Sequence, residues 1–230
     1  MRPHIEKHSH LSEIVRDVII GMSDGLTVPF AIAAGLASAA ASDATIIIAA
    51  VLAEIAAGSI SMGLGGFLAA KTEADHYAAE RQREETEVET VPGTEEQEVV
   101  DALVKYGLSQ DESRGVASSL KTRKKDWVDF MMRFELGLEA PDQNRAVKSA
   151  GTIAGAYIVG GFIPLAPYLF VPSVSQAFTF SIGLTLLALI VFGYLRGHFI
   201  GGRPFKSMFQ TVLVGSLAAA AAFMIAKLVP

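Results

Sequence analysis

The chain has 230 residues, 51% of them apolar and 19% charged, with a formal net charge of −5 and no cysteine. The missing cysteines exclude disulfides, thiolate metal sites and thiol catalysis together. Charge is unevenly placed: 18 of the 24 acids and 12 of the 19 bases lie between Lys71 and Lys148, so two apolar parts flank a polar insert.

An α-helical span needs about 20 mostly apolar residues to cross a hydrocarbon core of roughly 30 Å. Five stretches qualify, at 18–41, 45–70, 150–171, 176–195 and 207–229. A soluble globule of this size buries one or two such helices, but five with almost no polar face leave nothing to meet water. The expectation is an all-α membrane protein with a helical domain inserted between spans two and three. Its boundaries are 1–17 for an N-terminal segment, 18–70 for spans one and two, 71–147 for the insert and 148–230 for spans three to five. The first residues are polar and the first apolar run carries an acid and is too long for a signal-peptide core, so an uncleaved first span is expected.

Span one holds a lone acid, Asp24, followed by Gly25 and by Pro29, which lacks an N–H and is expected to kink the helix and free a carbonyl. Span two holds Glu54. A carboxylate in a bilayer costs several kcal/mol unless it faces a cavity, a partner or an ion, so both acids point to a cation path. The bland alternative is an acid paired with a span-three hydroxyl such as Thr152. After Glu54 the run EIAAGSISMGLGG has little side chain and suits close helix approach, with Gly151 and Gly155 repeating the small-xxx-small spacing in span three. Met62 lies eight residues beyond Glu54, about two turns up and about 80° round.

From Thr45 to Thr90 there is no proline, and the run after Lys71 is made of good helix formers, so span two is expected to continue for several turns until Val91, Pro92 and Gly93 stop it. Thr94 with Gln97, and Ser109 with Glu112, each read as a capping box. A second helix is expected from Glu95 to Tyr106, and a third from Ser109 to about Leu138. The insert is thus a three-helix domain. Eleven acids against two bases fall between Glu73 and Asp101. Glu80, Glu84 and Glu87 form one stripe at i, i+4 and i+7, and Glu95 with Glu98 is an i, i+3 pair; like charges so spaced repel unless something positive sits among them. On the third helix Met131 and Met132 stand four and three residues before Glu135. Adjacent methionines are common core fillers. Thioether with carboxylate is also a ligand set for a borderline dication such as Fe²⁺, whereas hard ions ignore sulfur.

Loop charge sets the expected orientation. Arg2, Lys7 and Arg16, the insert, and Arg196, Arg203 and Lys206 share one side, against Asp43 and an uncharged Pro172-Ser173 turn on the other. The positive-inside rule makes the first set cytoplasmic and the C-terminus luminal, with Lys227 dissenting.

The strings GMSDGLTVPFAIAAGL and AEIAAGSISMGLGGFLAAKTEADHY, followed by an acidic helix and five spans in all, resemble the vacuolar iron transporter family, of the yeast calcium-cross-complementer and plant vacuolar types. The resemblance covers essentially the whole chain. It implies a homodimer with the pore between two copies of span one, and Fe²⁺ and Mn²⁺ moved from cytosol into the vacuole against protons, with no permanently bound cofactor and no enzyme activity. Carried over residue by residue, it implies an intramembrane metal path at Asp24, Glu54 and Met62. It also implies a cytoplasmic metal-binding domain at Glu84, Glu87, Glu95, Glu98, Met131, Met132 and Glu135, with Glu80 on the same stripe.

Two other classes compete. Glu73-Ala74-Asp75-His76 is half of a di-iron carboxylate motif, but none of the other histidines, His4, His8, His10 and His198, stands three after a Glu. A membrane di-iron oxidase therefore lacks its second half. A metal-sensing scaffold without transport is separated from a carrier only by flux. His4 and His8 are spaced i, i+4 in a polar tail, where incidental histidines are the plainer reading. The basic run Arg123-Lys124-Lys125 reads better as a partner for anionic headgroups or neighbouring acids than for nucleic acid.

Overall fold

The computed structural model describes residues 8–38, 43–199 and 202–228, and among these every regular element is helical. In chain order they are α1 (His8–Ser38), α2 (Ala44–Thr90), α3 (Pro92–Lys105), α4 (Gln110–Lys121), α5 (Lys124–Phe130) continuing as a π-helical turn (Met131–Glu135), α6 (Arg145–Phe170), α7 (Val174–Phe199) and α8 (Pro204–Leu228). Arg2, His4 and Lys7, and the expected span ends at Ala41 and Val229, lie outside the described residues. The chain forms two units: α1, the first half of α2, α6, α7 and α8 in one, and residues Leu68–Arg145 in the other.

In the first unit five helices are long and apolar enough to cross a membrane. A small interior of Ala33, Ile47, Val51, Ile55, Leu165 and Tyr168 is packed away. Much larger apolar side chains point outward, Phe170 at 82% exposure and Ile60 at 70% among them. Each such side chain gains about 1.5–3 kcal/mol on leaving water, so this surface calls for an apolar surrounding such as lipid. α1 is helical through Pro29. It runs parallel to α6, with Gly21 against Ile153 and Gly25 against Tyr157, and parallel to α8, with Gly35 against Ala222. The expected close-packing stripe of Gly151 and Gly155 is not the one used: both are exposed with open space beside them. α6 instead meets its neighbours through Ile153, Tyr157, Gly160 and Gly161, the opposite face of the helix.

In the second unit α2 runs unbroken to Thr90, as its run of helix formers dictates. Val91 is the whole joint: α3 begins at Pro92, two residues before the expected cap at Thr94, and no side chain caps it. Proline at the first helical position needs no N–H partner, and Gln97 bonds Asp101 instead. The capping box of Ser109 and Glu112 forms. The third helix is not continuous to Leu138; it breaks at Thr122 and Arg123 and widens at Met131. Ala117 and Met131 would stand about 21 Å apart on a straight helix. Both belong to one buried cluster with Val88, Val99, Val100, Trp127, Val128 and Met132, so the helix bends to bring them onto it. Burial overrides a local pattern that carries no glycine or proline at the break.

Candidate metal centre

Glu84 and Glu87 of α2 and Glu95 of α3 bring carboxylate oxygens within 4.8 Å of one another. The joint at Val91 folds α3 back so that residues eleven apart meet. Glu84 is 4% exposed and Glu95 3%, and one oxygen of each is buried with no hydrogen-bond partner among the described residues. Two charges at such a distance repel by about 3 kcal/mol at an effective dielectric constant of about 20. Burial, followed by repulsion from Glu135, Glu87 and Glu98, pushes Glu84 up to about 7. Glu95 is likewise pushed up to about 7, by burial first and then by Glu98, Glu84, Glu87 and Glu135. Glu135 is raised by desolvation of its carboxyl and then by Glu98 and Glu87, although the residue as a whole is exposed. Five carboxylates thus share one field, and among the described residues only Glu87 of the five has an ion-pair partner, Arg83 at 3.1 Å. Such a cluster holds either protons or a cation.

Glu80 stands a turn away, engaged by Arg83 at 3.7 Å and with its carboxylate 3.9 Å from His76, outside the three-carboxylate group. Met131 and Met132 are both buried in the apolar cluster. The π-helical turn carries their side, since Leu136 N–H bonds the Met131 carbonyl five residues back, and Glu135 ends that turn. Such turns are frequent at functional sites. Met132 also borders a separate cleft with Tyr77, Arg81 and Asp129. In the basic run, Arg123 pairs with Asp126 and Lys124 with Glu89, both acids of the same unit.

Within the membrane unit, Tyr157 of α6 donates a 2.6 Å hydrogen bond to Glu54 Oε1. The other oxygen, Oε2, is buried without a partner among the described residues. Tyr157 is clasped by two glycines. A Cβ on Gly25 would lie 2.3 Å from the Tyr157 carbonyl oxygen, and one on Gly58 2.4 Å from its hydroxyl. Asp24, half-buried, is the residue before Gly25, so α1 and α2 present their acids at the same tyrosine. Met62 is half-buried, next to Gly63, which packs on Ala150 and Ala154 of α6. The expected alternative, an acid paired with a span-three hydroxyl, holds for Glu54, with Tyr157 in the place of Thr152. Sequence reasoning missed Tyr157, which shares its apolar span with a second phenol, Tyr168, so that nothing local singles it out.

Residues 15–227 match the family model of the VIT family. The chain is 58% identical over 226 residues to "Vacuolar iron transporter 2" of Oryza sativa subsp. japonica, covering 98% of this chain and 92% of that one. It is 55% identical over 226 residues to "Vacuolar iron transporter 1" of Arabidopsis thaliana, covering 98% and 90%. Similarity to "Protein CCC1" of Saccharomyces cerevisiae is 38% identity over 223 residues, covering 94% and 69%.

Proposed function

The chain belongs to the VIT family, and from that premise we propose that it carries Fe²⁺, and Mn²⁺ with it, from the cytosol into the vacuole in exchange for protons. The observation that carries the reading is the group of Glu84, Glu87 and Glu95 oxygens within 4.8 Å, in a chain with acids inside two apolar helices.

In this reading the Leu68–Arg145 unit is cytoplasmic, as are the N-terminus and the α7–α8 corner, and the C-terminus is luminal. Glu84, Glu87, Glu95, Glu98 and Glu135 capture the dication and raise its local concentration. Carboxylates that titrate near neutrality release their protons when a dication takes the same oxygens. Met131 offers a thioether that tips the set toward Fe²⁺ over Mg²⁺ or Ca²⁺, with Met132 as a second candidate. Glu80 serves as a peripheral charge.

Across the membrane, Asp24 and Glu54 replace water around the ion, and Met62 lies further along the same helix. Tyr157 holds one oxygen of Glu54 and leaves the other free for cation or proton. An acidic lumen protonates these oxygens and expels the metal, and that competition couples the two fluxes. Two copies of the chain, meeting along α1, enclose the path. Fe²⁺ uptake into proteoliposomes, with and without an inside-acid gradient, tests the reading. Uptake accelerated by the gradient is the expected result; no uptake above empty liposomes returns the protein to a metal-sensing scaffold.

A further inference from the structure

At the corner where α7 ends and α8 begins lies a cavity of about 340 Å³, lined by Arg196, Arg203, Lys206, Ser207 and Gln210. The helices meet closely there: a Cβ on Gly197 would lie 2.6 Å from the Pro204 Cα and 2.8 Å from the Ser207 Cβ. That approach sets Arg196 at the end of one helix beside Arg203 and Lys206 at the start of the other.

None of the three cations forms an ion pair among the described residues. The sequence shows why, since no Asp or Glu occurs after Asp142. The first turn of α8 also holds no acid, so its leading N–H groups add positive field to the same cavity. Several bases elsewhere are neutralised, Arg81 with Asp129 and Lys121 with Glu96 for example, and among the described residues none of those left unpaired is gathered with two other unpaired ones around one cavity. Three uncompensated cations around a hollow call for an anion.

The surroundings choose which anion. Phe199, Phe205 and Phe209 are 69%, 72% and 66% exposed around the corner, and Phe205 meets Tyr194 edge-on at 5.7 Å. Exposed phenylalanines at the ends of apolar helices call for hydrocarbon beside them, and basic pockets between spans suit anionic headgroups. A soluble anion has no use for an apolar rim, whereas a phospholipid fills both parts.

We propose that the α7–α8 corner binds the phosphorylated headgroup of an anionic lipid, with the arginines forking onto phosphate oxygens and Lys206 supplying a point charge. The lipid ties the ends of α7 and α8 together. The site is independent of metal transport, so it is tested with metal chelated, which keeps its failure separate from failure of the transport reading.

The experiment is native mass spectrometry of the full chain in detergent, titrated with phosphatidylinositol phosphate or with phosphatidylcholine. One phosphatidylinositol phosphate per chain is expected to persist where phosphatidylcholine dissociates. At about 1 kcal/mol per cation, the triple variant R196Q, R203Q, K206Q weakens binding roughly a hundredfold, and K206Q alone about fivefold. Should the triple variant not fold, the single one decides. A control neutralising the exposed Arg114 and Lys121 leaves binding unchanged. The proposal is overturned if the corner variants bind as wild type or if the control loses as much. It is also overturned if soluble inositol phosphate binds as tightly as the lipid, since that marks a site for free phosphate.

Discussion

The Tyr157 hydroxyl donates a 2.6 Å hydrogen bond to Glu54 Oε1, joining α6 to the one acid of the apolar half of α2. The bond satisfies one oxygen of a buried carboxylate and fixes its orientation, while the other oxygen has no partner among the described residues. In the proposed transport cycle it also gives the carboxylate a partner when no metal is bound.

The first prediction concerns that pair. Tyr157→Phe removes the donor and keeps the ring, leaving a buried acceptor unpaired at a cost of about 1–3 kcal/mol. Fe²⁺ uptake by proteoliposomes is expected to fall roughly tenfold or more, with the chain still folded. Asp24→Asn and Glu54→Gln lose charge and titration together and should abolish uptake. Near-normal flux in either amide variant removes these acids from the path.

The second follows from the two glutamates raised to about 7 from the ordinary 4.5. A carboxyl whose folded pKa lies above its unfolded value keeps its proton in the folded chain after the unfolded chain has lost it. Without metal, stability should therefore fall as pH rises through the window from 4.5 to about 7. Thermal unfolding in chelator is expected to show a less stable chain at pH 8 than at pH 5, and excess Mn²⁺ should restore stability at pH 8 by binding the ionised cluster. Glu84→Gln with Glu95→Gln should flatten the profile. A chelated chain equally stable at both pH values contradicts the shared-field account.

A third prediction separates capture from conduction. Gln at Glu84, Glu87, Glu95 and Glu98 removes the clustered charge, so uptake should drop at low Fe²⁺ and recover in part at high Fe²⁺, where Asp24 and Glu54 load from solution. Glu80→Gln, outside the group, should change uptake by less than about twofold, as its partner Arg83 is exposed and such a surface pair is worth under about 1 kcal/mol. Loss independent of Fe²⁺ concentration would assign the cluster to folding.

The fourth addresses sulfur. Met131→Leu keeps volume and removes the thioether, so Fe²⁺ affinity of the full chain should fall more than Mn²⁺ affinity. Met132→Leu, at the border of the second cleft, should have the smaller effect of the two. Equal changes for both ions return the two methionines to core packing, where a Leu-for-Met exchange costs under about 1.5 kcal/mol.

Hydropathy and helix formers in the sequence alone determined the five apolar helices, the long run of α2 out to Thr90 and the capping box at Ser109, because each depends on residues within a few positions of one another. Acid spacing marked the stripe Glu80, Glu84 and Glu87 and, apart from it, the pair Glu95 and Glu98, without saying which of them meet. What only the tertiary structure decided involves partners far apart in the chain. The break at Thr122 and Arg123 follows from a buried cluster shared by Ala117, Met131 and Val99, and no local residue announces it. The choice of Gly160 and Gly161 over Gly151 and Gly155 depends on which face of α6 meets α1 and α2, a matter of helix rotation that spacing leaves open. Tyr157 bonds Glu54 across 103 positions of sequence. Glu84 and Glu95 become one titrating centre because the Val91 joint folds two helices together and removes water from both carboxyls, and burial arises from packing that composition does not encode.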